Sequence, residues 1–160
     1  MNKQELKDQM EYALEKAKTL IVRDGKLVPV ALLHFDNQVD VIGLSFKNED
    51  EKNRQLSLLK TFVKMKKSDS IIVVIETWYV LANRKNISIK PSRHPMRKES
   101  ILVYGECEEG SISIMQIFDK INNKIIFGEK IEFEEAVSYK FDFGIADKNK
   151  KQDEYLRNLS

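Results

Sequence analysis

The stretch Ser70–Cys107 of this 160-residue chain, SIIVVIETWYVLANRKNISIKPSRHPMRKESILVYGEC, decides the fold. Its pattern predicts a strand over Ile71–Leu81, a basic connection, and a second strand that begins at Ile101. The first of these strands is largely apolar on both faces, which is typical of a strand inside a sheet that is covered on both sides. The stretch therefore predicts a central strand, to which the rest of the chain can be related.

Two helices are predicted before this strand. Apolar residues recur at spacings of three and four over Lys3–Val22, which indicates one amphipathic helix. Asn48, with Glu51 three residues later, has the spacing of an N-cap with a capping-box partner. The second helix is therefore expected over about Glu49–Lys67.

A hairpin is predicted between the two helices. The runs Lys26–Phe35 and Gln38–Phe46 are separated only by Asp36-Asn37, a short turn candidate. Pro29 lies in the first run and has no N–H to donate to a strand ladder. It favours either an edge position for this strand or the start of the pairing.

More strands are predicted after the central one. The runs Ile101–Glu108 and Ser111–Asp119 flank Glu109-Gly110, which predicts a second hairpin. A turn at Asn122-Asn123 leads to a further run, Lys124–Phe133.

The end of the chain is less regular. Alternating apolar residues over Glu134–Ile145 favour another strand, and the charged tail Asp147–Ser160 is expected to be a short helix or a frayed end.

The element order predicts an α+β protein of a single domain spanning residues 1–160. Hairpins at both ends indicate a single, mainly antiparallel sheet of five to six strands with two main helices on one or both faces. The order α-β-β-α-β-β-β(-β) is shared with roadblock-type and profilin-like domains. That analogy concerns topology alone and implies no function.

Composition bounds the class of protein. With 42% hydrophobic and 32% charged residues, the chain is well outside the disordered regime, and a net charge of +2 is too small to indicate nucleic-acid binding by the whole surface. Cys107 is the only cysteine, which excludes an intramolecular disulfide and a multi-cysteine zinc site. The chain has neither an N-terminal apolar core of a signal peptide nor an apolar run of membrane-spanning length. We expect a cytoplasmic protein that uses no cofactor and binds no membrane.

The basic connection is the main functional candidate. It holds six cations in sixteen positions and no acidic residue before Glu99; they are Arg84, Lys85, Lys90, Arg93, Arg97 and Lys98. One interpretation is an anion-binding loop in which Arg93 and Arg97 offer paired donors to phosphate or carboxylate. The other is a solvated connection, since charge runs usually face water. Pro91 and Pro95 make the segment extended and stiff under either interpretation.

Glu76 is the second candidate, because it interrupts an otherwise apolar strand beside Trp78. A carboxylate buried there needs a partner, since an unpaired buried charge is very costly. Arg97 or Arg93 folding back would supply a structural ion pair. The alternative is that Glu76 acts as a general acid or base.

The histidines and the cysteine complete the set. His94, between proline and arginine, is a candidate acid–base partner for Glu76, whereas His34 in an apolar strand is expected to be a partly buried structural residue. The two histidines with Asp36 and Glu76 have no recognised ligand spacing, so no metal site is expected. Cys107 is flanked by carboxylates, which oppose thiolate formation and a nucleophilic role.

One pattern resembles that of known proteins. The string E-T-W at Glu76–Trp78 is followed by P-S-x-x-P-x-R-x-E at Pro91–Glu99. This resembles uncharacterised prokaryotic and phage-type proteins in which an E-A-W strand precedes such a loop. The chain departs from that pattern at Thr77 and at Met96. The resemblance implies a shared architecture and loop over the middle third of the chain, and it implies no reaction.

Three hypotheses of function follow. The first is a non-enzymatic binding or accessory module of phage or mobile-element type, whose basic loop meets an acidic protein surface or nucleic acid through Arg84, Lys85, Arg93 and Arg97, with Trp78 nearby. The second is a small hydrolase that uses Glu76 and His94. The third is a homo-oligomeric structural protein.

Overall fold

A computed structural model describes residues 1–79, 98–134 and 141–146. In these residues six antiparallel strands form one sheet of order β2-β1-β3-β4-β5-β6, which confirms the predicted α+β class and its element order. No helix in these ranges is long and apolar enough to cross a bilayer. The elements are α1 (Lys3–Asp24), β1 (Val30–Phe35), β2 (Gln38–Gly43), α2 (Glu49–Lys66), β3 (Ser70–Tyr79), β4 (Lys98–Cys107), β5 (Gly110–Ile121) and β6 (Lys124–Phe133).

Two of the hairpins use the turn residues that the sequence indicates. Asp36 and Asn37 have φ of 48° and 59°, and Asn122 and Asn123 have φ of 50° and 63°. Positive φ at both central positions is the type I′ geometry, whose twist matches that of the flanking strands, and Asn and Asp tolerate it best among residues with a side chain. The local chemistry therefore sets the register of β1 with β2 and of β5 with β6.

The turn between β4 and β5 lies one residue earlier than predicted. It is formed by Glu108 and Glu109, and Gly110 is already the first residue of β5, where it pairs with Cys107. Gly110 has φ of 140°, a conformation that favours glycine, so it starts the returning strand rather than the turn.

Pro29 marks the start of pairing. The strand β1 begins at Val30, directly after this proline, and lies between β2 and β3. The alternative of an edge strand is therefore wrong. The carbonyl oxygen of Pro29 still accepts a hydrogen bond from the Leu44 N–H at 2.9 Å, which closes the open end of the hairpin.

Each helix covers one face of the sheet. The face of α1 buries Leu6, Met10 and Leu14 against alternate residues of β3, β4 and β5. The opposite face, the face of α2, buries Leu56 and Leu59 against the intervening residues. Because β3 contributes buried side chains to both faces, it is the central strand that its sequence predicts.

The cap of α2 differs from the prediction in one half. The Asn48 side chain accepts the Glu51 N–H at 2.9 Å, as an N-cap should. The Glu51 carboxylate, however, accepts the N–H of Lys47 at 2.7 Å, one residue before the expected partner. At α1 the full reciprocal capping box is formed by Asn2 and Glu5.

The predicted strand over Glu134–Ile145 is wrong for Phe141–Ile145, which are not in a strand. Residues 135–140 lie outside the described residues, and residues 141–146 form a single turn and a bend. Their alternating side chains Phe141 and Phe143 pack on Tyr104, with ring centroids 5.5 and 6.0 Å apart, and cover the face of α2. The alternation of apolar residues here arises because every second side chain is buried against the core, although the backbone is not paired as a strand.

Candidate functional site at the end of strands β3 and β4

Glu76 lies near the end of β3 and is half-buried. Its Oε1 accepts a hydrogen bond from the backbone N–H of Leu27 at 2.6 Å. Leu27 belongs to the connection between α1 and β1, so this carboxylate ties that connection to the central strand. The sequence predicts a partner for this half-buried carboxylate. One partner is the main-chain N–H of Leu27, which the residue types in a sequence cannot indicate.

A cleft of about 370 Å³ lies at the same end of the sheet. It is bounded by the last described residues of β3, by their neighbour on β4, and by the start of α2. Its walls combine three carboxylates, two lysines and two aromatic side chains with polar groups; the lining residues are Phe46, Lys47, Asn48, Glu49, Lys52, Glu76, Thr77, Trp78 and Glu99.

The sheet register fixes the geometry of this cleft. Trp78 is paired with Glu99 across β3 and β4, and Ser100 Oγ donates a hydrogen bond to the Thr77 carbonyl oxygen at 3.1 Å. Cross-strand neighbours of this kind are held about 5 Å apart between their Cβ atoms. The aromatic ring and the carboxylate therefore start from neighbouring positions on one face.

Most of the predicted binding residues lie outside the described residues. These are Arg84, Lys85, Lys90, Arg93, His94 and Arg97. Tyr79 and Lys98, between which the rest of the basic segment runs in the sequence, are paired in the β3–β4 ladder beside the cleft. Of the six cations, only Lys98 is described, and its Nζ lies 3.5 Å from Asp119 Oδ1 on the surface.

The structure separates His34 from Glu76. His34 is paired with Ser70 at the start of β3, and six residues of extended strand, about 20 Å, lie between Ser70 and Glu76. His34 is buried, as expected of a structural residue, and burial lowers its pKa. It cannot share a metal ion with Glu76, and no group of three His, Cys, Asp or Glu residues in the described ranges could hold one.

Glu106 is a buried carboxylate that the sequence analysis did not single out. It is 2% exposed and lies on the face of α2. Its oxygens accept the backbone N–H groups of Phe143 (2.9 Å), Ile145 (3.2 Å) and Ala146 (3.2 Å). Burial raises the pKa of Glu106, and these donors partly oppose that shift. The signal that identified Glu76, a carboxylate inside an apolar strand, applied equally to Glu106.

Cys107 is fully buried beneath α1. It is paired with Ser70 on β3, in the core cluster on the face of α1. A thiol in this position behaves as a small apolar side chain, because both solvent and a substrate are excluded from it.

The fold and the cleft together define an α+β protein with one six-stranded antiparallel sheet in the described ranges and a cleft at one end of its central strands. A family model described as "Bacteriophage lambda protein ea47" matches residues 1–155 of the chain. The chain therefore belongs to the phage lambda Ea47 family, which confirms the expected phage-type family. No curated protein and no solved structure matches it. The roadblock-like or profilin-like topology thus stays a prediction.

A test of Glu76 follows from its contact with Leu27. Glu76→Ala is expected to lower the free energy of unfolding by about 1–2 kcal/mol, because the half-buried Leu27 N–H loses its acceptor. Glu76→Gln should lose less than half as much, since the amide oxygen can still accept. Urea unfolding of the two variants measures both values. An alanine variant as stable as the parent would show that the contact contributes nothing.

Proposed function

We propose that this protein is a non-enzymatic accessory module of a phage that binds an anionic partner through the basic segment at residues 83–98. The observation that carries the proposal is the pairing of Tyr79 with Lys98. It fixes Lys98, the last residue of the segment, and Tyr79, four residues before its first, on the two central strands, and loops held by a rigid scaffold are where binding residues concentrate. Arg84, Lys85, Arg93 and Arg97 are the proposed contacts to the partner.

The cleft supports a division of roles within the segment. Glu49, Glu76 and Glu99 line it, and a cation of the basic segment that entered the cleft would meet these carboxylates. We assign Arg97 to a structural ion pair with Glu76, which also keeps its hydrogen bond to Leu27. The other cations of the segment are proposed to contact the partner. In this scheme the P-S-x-x-P-x-R-x-E spacing returns one arginine to the cleft, and Trp78 contributes to its wall.

The same contact argues against the hydrolase alternative. A general base needs a carboxylate that can reach a substrate proton, and Glu76 is engaged by Leu27 at 2.6 Å. The binding module is also consistent with one domain, since both core clusters flank one sheet. We place its action in the cytoplasm, where a single buried thiol stays reduced.

The test replaces Arg84, Lys85, Arg93 and Arg97 together by glutamine. A matched control replaces four exposed lysines elsewhere, Lys26, Lys64, Lys120 and Lys124, so that the net charge changes equally. The probes are a short fluorescent DNA duplex and poly-glutamate, each titrated at several salt concentrations. The loop variant should bind much more weakly, and for DNA its slope of log Kd against log salt should fall by about 3–4, or about 0.9 for each phosphate that the protein no longer neutralises.

The control set should retain most of the affinity. If the parent protein binds neither probe, or if both sets of substitutions weaken binding equally, the basic segment is not the binding site. Arg97→Gln alone, measured by urea unfolding, should lose as much stability as Glu76→Gln. A loss in only one of these two variants would contradict the ion pair.

A further inference from the structure

We propose that the outer edge of β2 binds an extended peptide in which basic and apolar residues alternate, as an added strand of the sheet. Among residues 1–79, 98–134 and 141–146, β2 is an edge strand and pairs with β1 alone. The two-residue turn makes Phe35 and Gln38 the first hydrogen-bonded pair, so residues 38, 40 and 42 bond to β1. The N–H and C=O groups of Val39, Val41 and Gly43 therefore point away from the sheet, and no other strand in the described part of the chain pairs with them.

The two edges of the sheet are built differently. The other edge strand, β6, has a bulge opposite Ile117, and its charged residues Lys130 and Glu132 form ion pairs with α1 at 3.2 Å each. Bulges and charges of this kind protect an edge from further pairing. β2 has neither a bulge nor a proline, and Asp40 is its only charged residue.

An apolar groove accompanies the open edge. On the face of α2, a cavity of about 320 Å³ lies between β2 and α2, with Ile42, Leu44, Leu58 and Phe62 in its walls. Leu58 is 65% exposed at its rim. An added strand would lie about 4.8 Å from β2, and every second side chain would face this groove. Main-chain pairing with side-chain pockets alongside is the way sheet edges recognise peptides.

Asp40 sets the charge of the peptide. It lies on the same face as Ile42, is only partly exposed, and has no hydrogen bond or ion pair with the described residues. An incoming lysine or arginine opposite Asp40 would pair with it, and an apolar residue two positions away would lie opposite Ile42 at the groove. Directly opposed charges of unlike sign stabilise strand pairs, and like charges destabilise them.

The same residue disfavours a second copy of this chain as the occupant. Antiparallel self-pairing centred on Asp40 would place two carboxylates opposite each other. Centring it on Val41 or Ile42 would place Asp40 opposite Ile42 or Leu44, beside the apolar groove. Each of these registers leaves the Asp40 carboxylate without a cation. A peptide with alternating basic and apolar residues instead places a cation opposite Asp40 and an apolar side chain opposite Ile42.

The test uses a fluorescent six-residue peptide, the length of β2, in which leucine and lysine share one face and threonines fill the other. Its affinity is measured by polarisation with the full chain. Asp40→Lys should raise Kd about tenfold, and replacing the peptide lysine by glutamate should restore binding to that variant. Glu129→Lys on exposed β6 makes the same charge change at the other edge and should alter Kd less than about twofold.

Backbone pairing is tested separately. Val41→Pro removes an outward N–H without removing a donor to β1, and N-methylation of the peptide removes its own donors; each should weaken binding at least about tenfold. If Val41→Pro does not fold, Leu58→Ser at the groove rim should weaken binding in its place. Equal effects of Asp40→Lys and Glu129→Lys, or no binding of the peptide by the parent, would overturn the proposal. A parent dimer that Val41→Pro dissociates would also overturn it, because the edge would then be occupied by a second copy.

Discussion

Replacing Glu106 by glutamine is expected to lower the free energy of unfolding by about 3 kcal/mol. The carboxylate accepts three main-chain N–H groups, from Phe143, Ile145 and Ala146. An amide keeps one acceptor oxygen and turns a donor towards the remaining N–H groups. A buried donor left without an acceptor costs about 1–3 kcal/mol, so the isosteric change removes much of what holds residues 141–146 on the core.

Urea unfolding measures the loss, and Asp142→Asn supplies the matched control. Asp142 also accepts a main-chain N–H, that of Gly144 at 2.9 Å, but it is exposed. Its amide variant should therefore lose less than about 1 kcal/mol. Equal losses in the two variants would mean that burial of the Glu106 carboxylate is not what makes its contacts strong.

The dependence of stability on pH gives a second measurement of the same residue. Because burial raises the pKa of Glu106 above its usual value, the folded chain binds more protons than the unfolded chain between the ordinary pKa and the raised one, and above the raised pKa the group is the carboxylate described above. The contribution of this group to stability is therefore fully present below its ordinary pKa and is lost as pH rises through the raised one. Glu106→Gln should remove that part of the pH dependence, and an unchanged profile would contradict the shift.

Gly105→Ala is expected to be the second large change, with a loss of about 2 kcal/mol in the free energy of unfolding. A methyl group on this residue would overlap Met10 Sδ and lie 3.1 Å from Leu6 Cδ1. Both side chains are fully buried, so α1 has little room to yield. Overpacking of a dense core typically costs about 1–3 kcal/mol.

A double substitution separates overlap from loss of backbone freedom. In a Met10→Ala background, Gly105→Ala should cost less than it does in the parent, because the methyl group then occupies space that the thioether has vacated. Gly43→Ala is the matched control in another strand, where no atom lies within 4 Å of the new methyl group. A loss at Gly43 equal to that at Gly105 would show that close approach of α1 is not the cause.

Sequence reasoning predicted the elements whose signals are local. The asparagine and aspartate turns at Asp36-Asn37 and Asn122-Asn123 set their hairpins, and Asn48 caps α2. The two apolar faces of β3 correctly indicated a central strand. Each of these follows from side chains within a few positions along the chain, which is the information that a sequence displays directly.

What the sequence did not predict depends on long-range contacts with main-chain atoms. Glu76 binds the N–H of Leu27, and Glu106 binds three N–H groups that lie 37–40 residues away. Such donors carry no residue-specific signal, so arginine was the only visible partner for Glu76. The strand expected at Phe141–Ile145 was wrong for a related reason, because alternation records which side chains are buried and not what the backbone bonds to.

The position of α1 has a consequence during synthesis. This helix ends at Asp24, yet β4, one of the strands it packs on through Gly105, begins only at Lys98. At about 5–20 residues per second, a ribosome needs about 4–15 s to make the chain between them. During that time only β1, β2 and β3 are available to α1, and the part of its apolar side that packs on β4 and β5 stays uncovered. The first helix made is thus fully buried only after the later strands appear, and the nascent chain has a window in which a chaperone can bind α1.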